Sequence, residues 1–286
     1  MERLEQLVAA ELAQRVDPRV SAMATAIAAR HGAASRAVLF YGSCLRTAAL
    51  EGQMLDFYFI VSDYRRAYGK GWLAWANRLV PPNVFPFAHQ GLQAKYAVLS
   101  AADFHRLNGP EPLSVSVWAR FSQPSRLVWV ADETARQEVV RAVARAAPTL
   151  LSCVPGGMAG EPLDLWREAY KRTYRAELRA EKAERGISVV DADPARYERF
   201  TAAALAASEP GARQHPWWAR RLAGKALSIV RLGKASLTFA GGIDYLAWKI
   251  NRHAGTRIVI RPWQRRMPLL AALTLLPRLV RSGAIR

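Results

Sequence analysis

Two apolar segments near the start of the chain, separated by a Gly-Ser pair, constrain the fold more than any other feature. Residues 37–42 read AVLFYG and residues 54–61 read MLDFYFIV. Short apolar runs rich in branched and aromatic residues predict buried strands. The second run holds one carboxylate, Asp56, and a buried carboxylate must be hydrogen-bonded, paired with a cation or bound to a metal. The pattern therefore predicts two core strands and an acid whose presence needs a chemical reason.

The Gly42-Ser43 pair at the end of the first strand points to such a reason. The backbone N–H groups of a glycine turn, together with a hydroxyl, can approach phosphate oxygens. An acid on the neighbouring strand, here Asp56, can hold Mg²⁺ between those phosphates and an attacking oxygen. This arrangement is typical of nucleotidyltransferases, although Tyr58 stands where they usually carry a second acid. The alternative is a plain glycine turn beside an aspartate that neighbouring donors satisfy.

The rest of the chain divides into a mixed half and a helical half. Helical periodicity predicts a helix over residues 2–30, and apolar patterning predicts a strand in AKYAVLS (94–100) and a short helix in AADFHRL (101–107). The segment VPPNVFPF (80–87) is predicted to lack regular structure because it holds three prolines. Beyond about residue 130 the pattern is helical throughout.

These patterns predict an α+β fold with three parts. A stretch rich in proline and glycine, CVPGGMAGEP, marks a boundary near residue 155. We predict a nucleotidyltransferase-type mixed sheet with flanking helices in residues 1–155, a helical domain in residues 156–262 and a basic amphipathic C-terminal helix in residues 263–286.

The net charge is strongly positive and unevenly distributed. The chain carries a formal charge of +18, and residues 210–286 hold 15 lysines and arginines against one acid, Asp244. Such a segment is expected to face an anionic partner. In the tail, leucines recur near helical spacing among arginines, which predicts a helix lying in the surface of an anionic membrane. A C-terminal helix buried in the core is the alternative.

Composition narrows the class of protein further. With 51% apolar residues the chain is expected to fold, and its two widely separated cysteines indicate neither a disulfide framework nor a zinc site. The N-terminus is acidic and periodic, unlike a signal peptide, and no apolar run reaches the length of a membrane span. These features predict a cytoplasmic protein that is peripheral to the inner face of a membrane.

Several short motifs occur in one order along the chain. They are YGS (41–43), MLDFYFIVSD (54–63), AKYAVLSAADF (94–104), ARFSQP (119–124), YRAELRAE (174–181) and LSIVRLGKASLTFAGGIDYLAWKI (227–250). In residue type and order they resemble the mitochondrial-type phosphatidate cytidylyltransferases, a family that also departs from the usual pair of acids. The chain differs from that family at residues 85–87, where Phe-Pro-Phe replaces a His-Tyr pair.

The resemblance implies a reaction and a set of roles. The substrates would be CTP and phosphatidate, the products CDP-diacylglycerol and pyrophosphate, and the cofactor Mg²⁺. The C-terminal helix would bind the anionic membrane surface, and no nucleic acid is expected as a partner. The candidate residues are Asp56, Ser43 and Lys95 as catalytic residues, Gly42, Ser43, Arg120, Glu177 and Arg179 as ligand-binding residues, and Asp56 and Asp63 as metal ligands.

Two other functions remain open from the sequence. The first keeps nucleotidyl transfer but changes the acceptor to RNA or protein. The second is a nucleic-acid-binding protein without catalysis, for which the basic C-terminal quarter is the support. For several candidates a plainer role is also open: Lys95 as a solvated lysine of an edge strand, Asp63 as a loop aspartate, and Glu177 and Arg179 as members of a solvated helix.

Overall fold

The fold is organised around a five-stranded mixed sheet. A computed structural model describes residues 1–154, 161–177, 185–208, 215–238 and 259–266. Across the sheet the strand order is β3-β4-β2-β1-β5, with β2 and β4 parallel and the other neighbours antiparallel. The predicted α+β class with a mixed sheet is confirmed. The strands are β1 (Ser35–Tyr41), β2 (Met54–Val61), β3 (Asn83–His89), β4 (Leu92–Ser100) and β5 (Ser125–Val130).

Helices cover both faces of this sheet. In chain order the first of them are α1 (Glu2–Leu12), α2 (Pro18–Ala29), α3 (Ser43–Thr47), α4 (Tyr64–Ala67), α5 (Gly71–Leu79), α6 (Ala101–Leu107) and α7 (Trp118–Phe121). The later helices are α8 (Glu133–Ala144), α9 (Ala146–Leu151), α10 (Pro162–Ala176), α11 (Arg185–Asp191), α12 (Pro194–Ala206), α13 (Trp217–Thr238) and α14 (Pro262–Arg266).

The strands are apolar on both faces because each face meets its own hydrophobic core. Leu39 and Tyr41 of β1 belong to one core cluster, together with residues of α8. Val38 and Phe40 belong to the other cluster, together with residues of α2. We call the two sides of the sheet the α8 face and the α2 face. Side chains alternate along a strand, so Asp56, two residues before Tyr58 of the α8 face, also lies on that face.

Residues 2–30 are mostly helical, as predicted, but they form two helices, α1 and α2, instead of one. Residues between α1 and α2 leave the helical path, and Asp17 caps the second helix by accepting a hydrogen bond from the backbone N–H of Arg19 at 2.9 Å. Pro18 follows at the first helical position, where a missing N–H costs nothing. An aspartate followed by proline is a start signal that outweighs the continuous periodicity.

The prediction that residues 80–87 lack regular structure is also wrong, because β3 begins at Asn83 and contains Pro86. Among the described strands β3 pairs with β4 alone, so it lies at the edge of the sheet. Proline cannot donate to a strand ladder, but an edge strand has one side without a ladder, so the missing donor is tolerated there. Pro86 lies directly opposite Lys95 in the pairing with β4.

The helical half packs onto the α8 face and shares its core. Trp166, Tyr170 and Tyr197 of α10 and α12 are fully buried in the same cluster as Tyr58. The predicted boundary near residue 155 lies outside the described residues, and on both sides of it the described helices contribute to one core. In the described part of the chain, no helix is long and apolar enough to cross a membrane. Of the predicted C-terminal helix, residues 267–286 lie outside the described residues.

A buried ion pair links the start of the chain to α12. Arg196 donates from Nη2 to Oε1 of Glu11 at 2.9 Å, and the side chains are 3% and 6% exposed. The guanidinium also donates to the backbone carbonyl of Ser122 at 3.0 Å and lies over the rings of Tyr197 and Phe200. Every polar edge of this arginine is therefore directed at a partner in a region that excludes water.

Candidate functional site

A row of three side chains crosses the α8 face on adjacent strands. Tyr41 of β1 lies opposite Asp56 of β2, and Asp56 lies opposite Lys95 of β4. By the alternation of side chains along each strand, all three lie on the α8 face. Tyr96, the residue after Lys95, belongs to the core of the α2 face, so Lys95 and Tyr96 lie on opposite faces, as predicted. The strand register therefore places a tyrosine, an aspartate and a lysine next to one another on one face of the sheet.

Asp56 is held by its neighbour in this row. The Nζ atom of Lys95 lies 3.1 Å from Oδ1 of Asp56, and the two side chains are 24% and 19% exposed. The carboxylate is thus neither deeply buried nor unpaired, which answers why a core strand carries it. Its partial exposure leaves the acid open to a ligand from solvent.

Gly42 closes the turn that follows β1 and lies against the same carboxylate. Its φ angle is +94°, a region that side chains rarely adopt, and a Cβ atom at this position would lie 2.9 Å from Oδ2 of Asp56. Glycine is therefore required here by both the backbone and the contact. Ser43 is the first residue of α3 and is exposed. The structure brings Gly42, Asp56 and Lys95 together and leaves Ser43 accessible beside them.

Arg120 approaches the row from α7. Its Cζ atom lies 4.9 Å from the centroid of the Tyr41 ring. Burial alone would lower the pKa of Arg120, but Tyr41, Tyr58, Asp56 and Glu177 raise it, and the net pKa is raised, so the guanidinium stays charged. Its Nε atom is buried and finds no hydrogen-bond partner among the described residues.

Glu177 directly follows α10 and is buried. It accepts a hydrogen bond from the hydroxyl of Ser116, and Nη1 of Arg231 lies 3.9 Å from its Oε1 atom. Arg231 belongs to α13 and also donates to the hydroxyl of Ser114 at 3.1 Å. The negative charges of Asp56 and Glu177 both contribute to the raised pKa of Arg120.

Glycine sets how closely α13 approaches this group. Gly224 packs against α10, and a Cβ atom at this position would overlap the carbonyl oxygen of Ala176, the residue before Glu177. A larger residue would push the two helices apart. The contact therefore positions the arginine of α13 against the glutamate that follows α10.

Lys234 lies one helical turn beyond Arg231 and donates to the carbonyl of Val80. Burial lowers the pKa of Lys234 from 10.5 to about 7, and the charge of Arg231 adds to this lowering. The ammonium form is thus costly in the folded protein. A lysine of this kind changes its charge near neutral pH.

We expect Lys234 to make stability depend on pH. Between its folded and unfolded pKa values the unfolded chain binds more protons than the folded protein, so the free energy of unfolding rises with pH and this gain is lost as the pH falls through about 7. Lys234→Met should remove a rise of about 5 kcal/mol across this window, because each unit of pKa corresponds to about 1.4 kcal/mol. Urea unfolding at a series of pH values measures the slope, with Lys225→Met, an exposed lysine of the same helix, as the control. If the free energy of unfolding changed with pH equally in the two variants, the expectation would be wrong.

The structure separates one predicted residue, Asp63, from the row. Asp63 follows the opposite end of β2, seven residues from Asp56, which corresponds to about 20 Å along a strand. Its carboxylate caps α4 by accepting from the N–H of Arg65 at 2.7 Å, and it lies 3.7 Å from Arg78. We therefore do not carry Asp63 into the candidate metal site. Arg179 lies outside the described residues.

Three residues of the site were not singled out from the sequence. Ser116, Arg231 and Lys234 reach it only through the packing of α13 and of the segment before α7. A signal for two of them exists, because Arg231 and Lys234 lie three residues apart on a helix without acids. That spacing does not predict that Arg231 lies beside Glu177 or that Lys234 donates to the carbonyl of Val80.

The donor set at Asp56 fits Mg²⁺ only in part. Tyr58, on the same face two residues further on, is buried and packs against Phe121 with ring centroids 5.0 Å apart, so β2 offers one carboxylate. No group of three or more acidic, histidine or cysteine side chains that could hold a metal ion occurs in the described ranges. Mg²⁺ often takes one or two carboxylates and completes its shell with water and substrate phosphates. Asp56 suits that mode of binding and does not suit a metal held by protein ligands alone.

Comparisons with known proteins add no relative. No protein-family model matches the chain, and no curated protein matches it. The resemblance to the cytidylyltransferases stays a prediction that depends on short motifs.

Proposed function

We propose that the protein is a nucleotidyltransferase that joins CTP to phosphatidate, forming CDP-diacylglycerol and releasing pyrophosphate. The observation that carries this proposal is the contact between Gly42 and Asp56, with Lys95 paired to the same carboxylate. A glycine turn, an acid and a cation within one site are the parts that phosphate chemistry needs. The order of the sequence motifs supports CTP and phosphatidate as the reactants.

The reaction is an exchange at the α-phosphorus of CTP. A phosphate oxygen of phosphatidate forms a bond to that phosphorus, the bond to the oxygen bridging to the β-phosphorus breaks, and pyrophosphate leaves with the electron pair. A phosphomonoester is already ionised near neutral pH, so the site needs no strong general base. This is consistent with a row that offers a carboxylate already engaged by a lysine.

The chain would contribute orientation and positive charge. Lys95 and Arg120 are cations beside Asp56, suited to stabilise the triphosphate and the departing pyrophosphate. The exposed hydroxyl and N–H groups at the start of α3 are suited to orient phosphate oxygens. Mg²⁺ held by Asp56 and the phosphates would neutralise part of their charge. Arg231, beside Glu177, adds a further cation.

The test uses purified full-length protein with Mg²⁺, labelled CTP and vesicles that contain phosphatidate. We expect label in the lipid fraction and release of pyrophosphate, with CTP preferred over ATP. An RNA acceptor in a parallel reaction distinguishes the main alternative. Label in RNA instead of lipid would overturn the choice of acceptor, and equal use of all four triphosphates would overturn the choice of CTP.

A further inference from the structure

α13 exposes an apolar stripe on the side away from the site. Trp218, Leu222 and Ile229 lie four and seven residues apart, so they share one face of the helix, and Trp218 is 70% exposed. Arg221 and Lys225 lie exposed along the same stripe. α13 carries no aspartate or glutamate in its whole length. The helix therefore presents an aromatic and aliphatic face with positive charge beside it.

α5 exposes a second face of the same kind. Trp72, Trp75 and Leu79 follow helical spacing, and Trp75 is 58% exposed. The opposite side of the helix is anchored, since the buried side chain of Asn77 donates to the carbonyl of Val98 at 2.8 Å. The exposed tryptophans and leucine therefore lie on a helix whose other side is anchored to the sheet.

The two helices meet at the end of α5. Nε of Arg231 donates to the carbonyl of Pro81 at 3.0 Å, and Lys234 donates to the carbonyl of Val80, the residue after α5. α13 and the end of α5 are therefore in contact, and each helix also has an exposed apolar face. We call these two faces together the tryptophan surface, defined by Trp72, Trp75, Leu79, Trp218, Leu222 and Ile229.

The charges around this surface indicate what kind of partner it binds. Residues 61–100 contain five basic residues and one acid, Asp63, and four of the basic residues, Arg65, Arg66, Lys70 and Arg78, are exposed next to or within α5. Tryptophan is the side chain most typical of the boundary between lipid and water, and basic residues are attracted to anionic headgroups. An acidic protein would pair with the cations but would not require several exposed tryptophans on two helices.

We propose that the tryptophan surface binds the interface of an anionic membrane. The contact places the bilayer on the outer side of α13, whose inner side carries Arg231 next to Glu177. The inference rests on the proposed function in one respect, because phosphatidate, the proposed substrate, is a lipid of the bilayer. The sequence predicts that the membrane is bound by the C-terminal helix, residues 263–286. The present inference instead assigns membrane binding to α5 and α13.

The test measures binding to vesicles of phosphatidylcholine with about one third phosphatidylglycerol, which contain no phosphatidate. A variant with Trp72, Trp75, Trp218 and Leu222 all changed to serine should bind about tenfold less than the wild-type protein. Leu205→Ser, which removes an exposed leucine from α12, is the matched control and should bind normally. Arg221→Ser with Lys225→Ser should weaken binding at low salt more than at high salt.

A second measurement needs no substitution. Lipids brominated near the headgroup should quench the tryptophan fluorescence of the wild-type protein, and the fourfold variant should lose most of that quenching. Equal vesicle binding by the fourfold variant and the wild type would overturn the inference. If that variant also changed a wild-type dimer into a monomer, the surface would belong to a second copy of the chain. Loss of binding only on deletion of residues 267–286 would overturn the inference in favour of the tail.

The vesicles separate this inference from the proposed function. Binding that depends on the tryptophan surface, without transfer of label to phosphatidate, would keep the surface and reject the reaction. Transfer to a short-chain, water-soluble phosphatidate, without vesicle binding by the wild type, would keep the reaction and reject the surface.

Discussion

Replacing Asp56 with asparagine should lower cytidylyl transfer by about 100-fold or more while the protein stays folded. Asparagine fits the space beside Gly42 but carries no negative charge, so it cannot bind a cation among the phosphates. It also loses the ion pair with Lys95, which is partly exposed and therefore contributes little to stability. Initial rates with labelled CTP, together with thermal unfolding in metal-free buffer, measure both effects.

Asp63→Asn is the matched control for this experiment. Asp63 follows the same strand, and asparagine can still accept the hydrogen bond from Arg65 that caps α4. We expect nearly normal transfer from this variant. Activity of Asp56→Asn above about a tenth of the wild type would remove Asp56 from the metal site. A large loss in Asp63→Asn would restore Asp63 as a candidate ligand.

Removing the partner of Arg196 should give the largest loss of stability in the molecule. Glu11→Ala leaves a guanidinium buried without its carboxylate, and breaking such a pair costs about 3–5 kcal/mol of unfolding free energy. The remaining contacts, to the carbonyl of Ser122 and to two aromatic rings, cannot neutralise the charge. Urea unfolding at neutral pH measures the loss.

Two further variants make this result specific. Replacing both members of the pair, as Glu11→Leu with Arg196→Met, should recover much of the loss because no buried charge remains. Glu133→Gln removes a surface ion pair with Arg136, whose side chains are 68% and 43% exposed, and should cost less than about 1 kcal/mol. A Glu11→Ala variant no less stable than Glu133→Gln would show that the pair contributes nothing.

Local patterns were enough to predict the strands that lie in the middle of the sheet. β1, β2 and β4 are continuous apolar runs because helices cover both faces, and such runs are visible in the sequence. β3 was missed because Pro86 argues against a strand unless one knows that the strand lies at the edge. Whether a strand lies at the edge depends on the assembled sheet, so the sequence of the strand alone does not predict it.

The same limit applies to the site. The Gly-Ser turn and Asp56 could be proposed because their spacing in sequence already matches a known chemistry. The pairing of Asp56 with Lys95 depends on the register of two parallel strands that are separated by two helices and an edge strand. The approach of Arg231 to Glu177 depends on how α13 packs on α10, which Gly224 permits and no local pattern predicts.

The row of Tyr41, Asp56 and Lys95 also determines which changes the protein can tolerate. Each of the three residues is fixed by backbone hydrogen bonds to its neighbours in the sheet, so a slip of one position would turn Phe57 toward the α8 face and Asp56 into the opposite core. The loop after α3 carries no such constraint. Insertions in the loop after α3 should therefore leave the chemistry intact, whereas a single deletion within β2 should remove the fold and the site together.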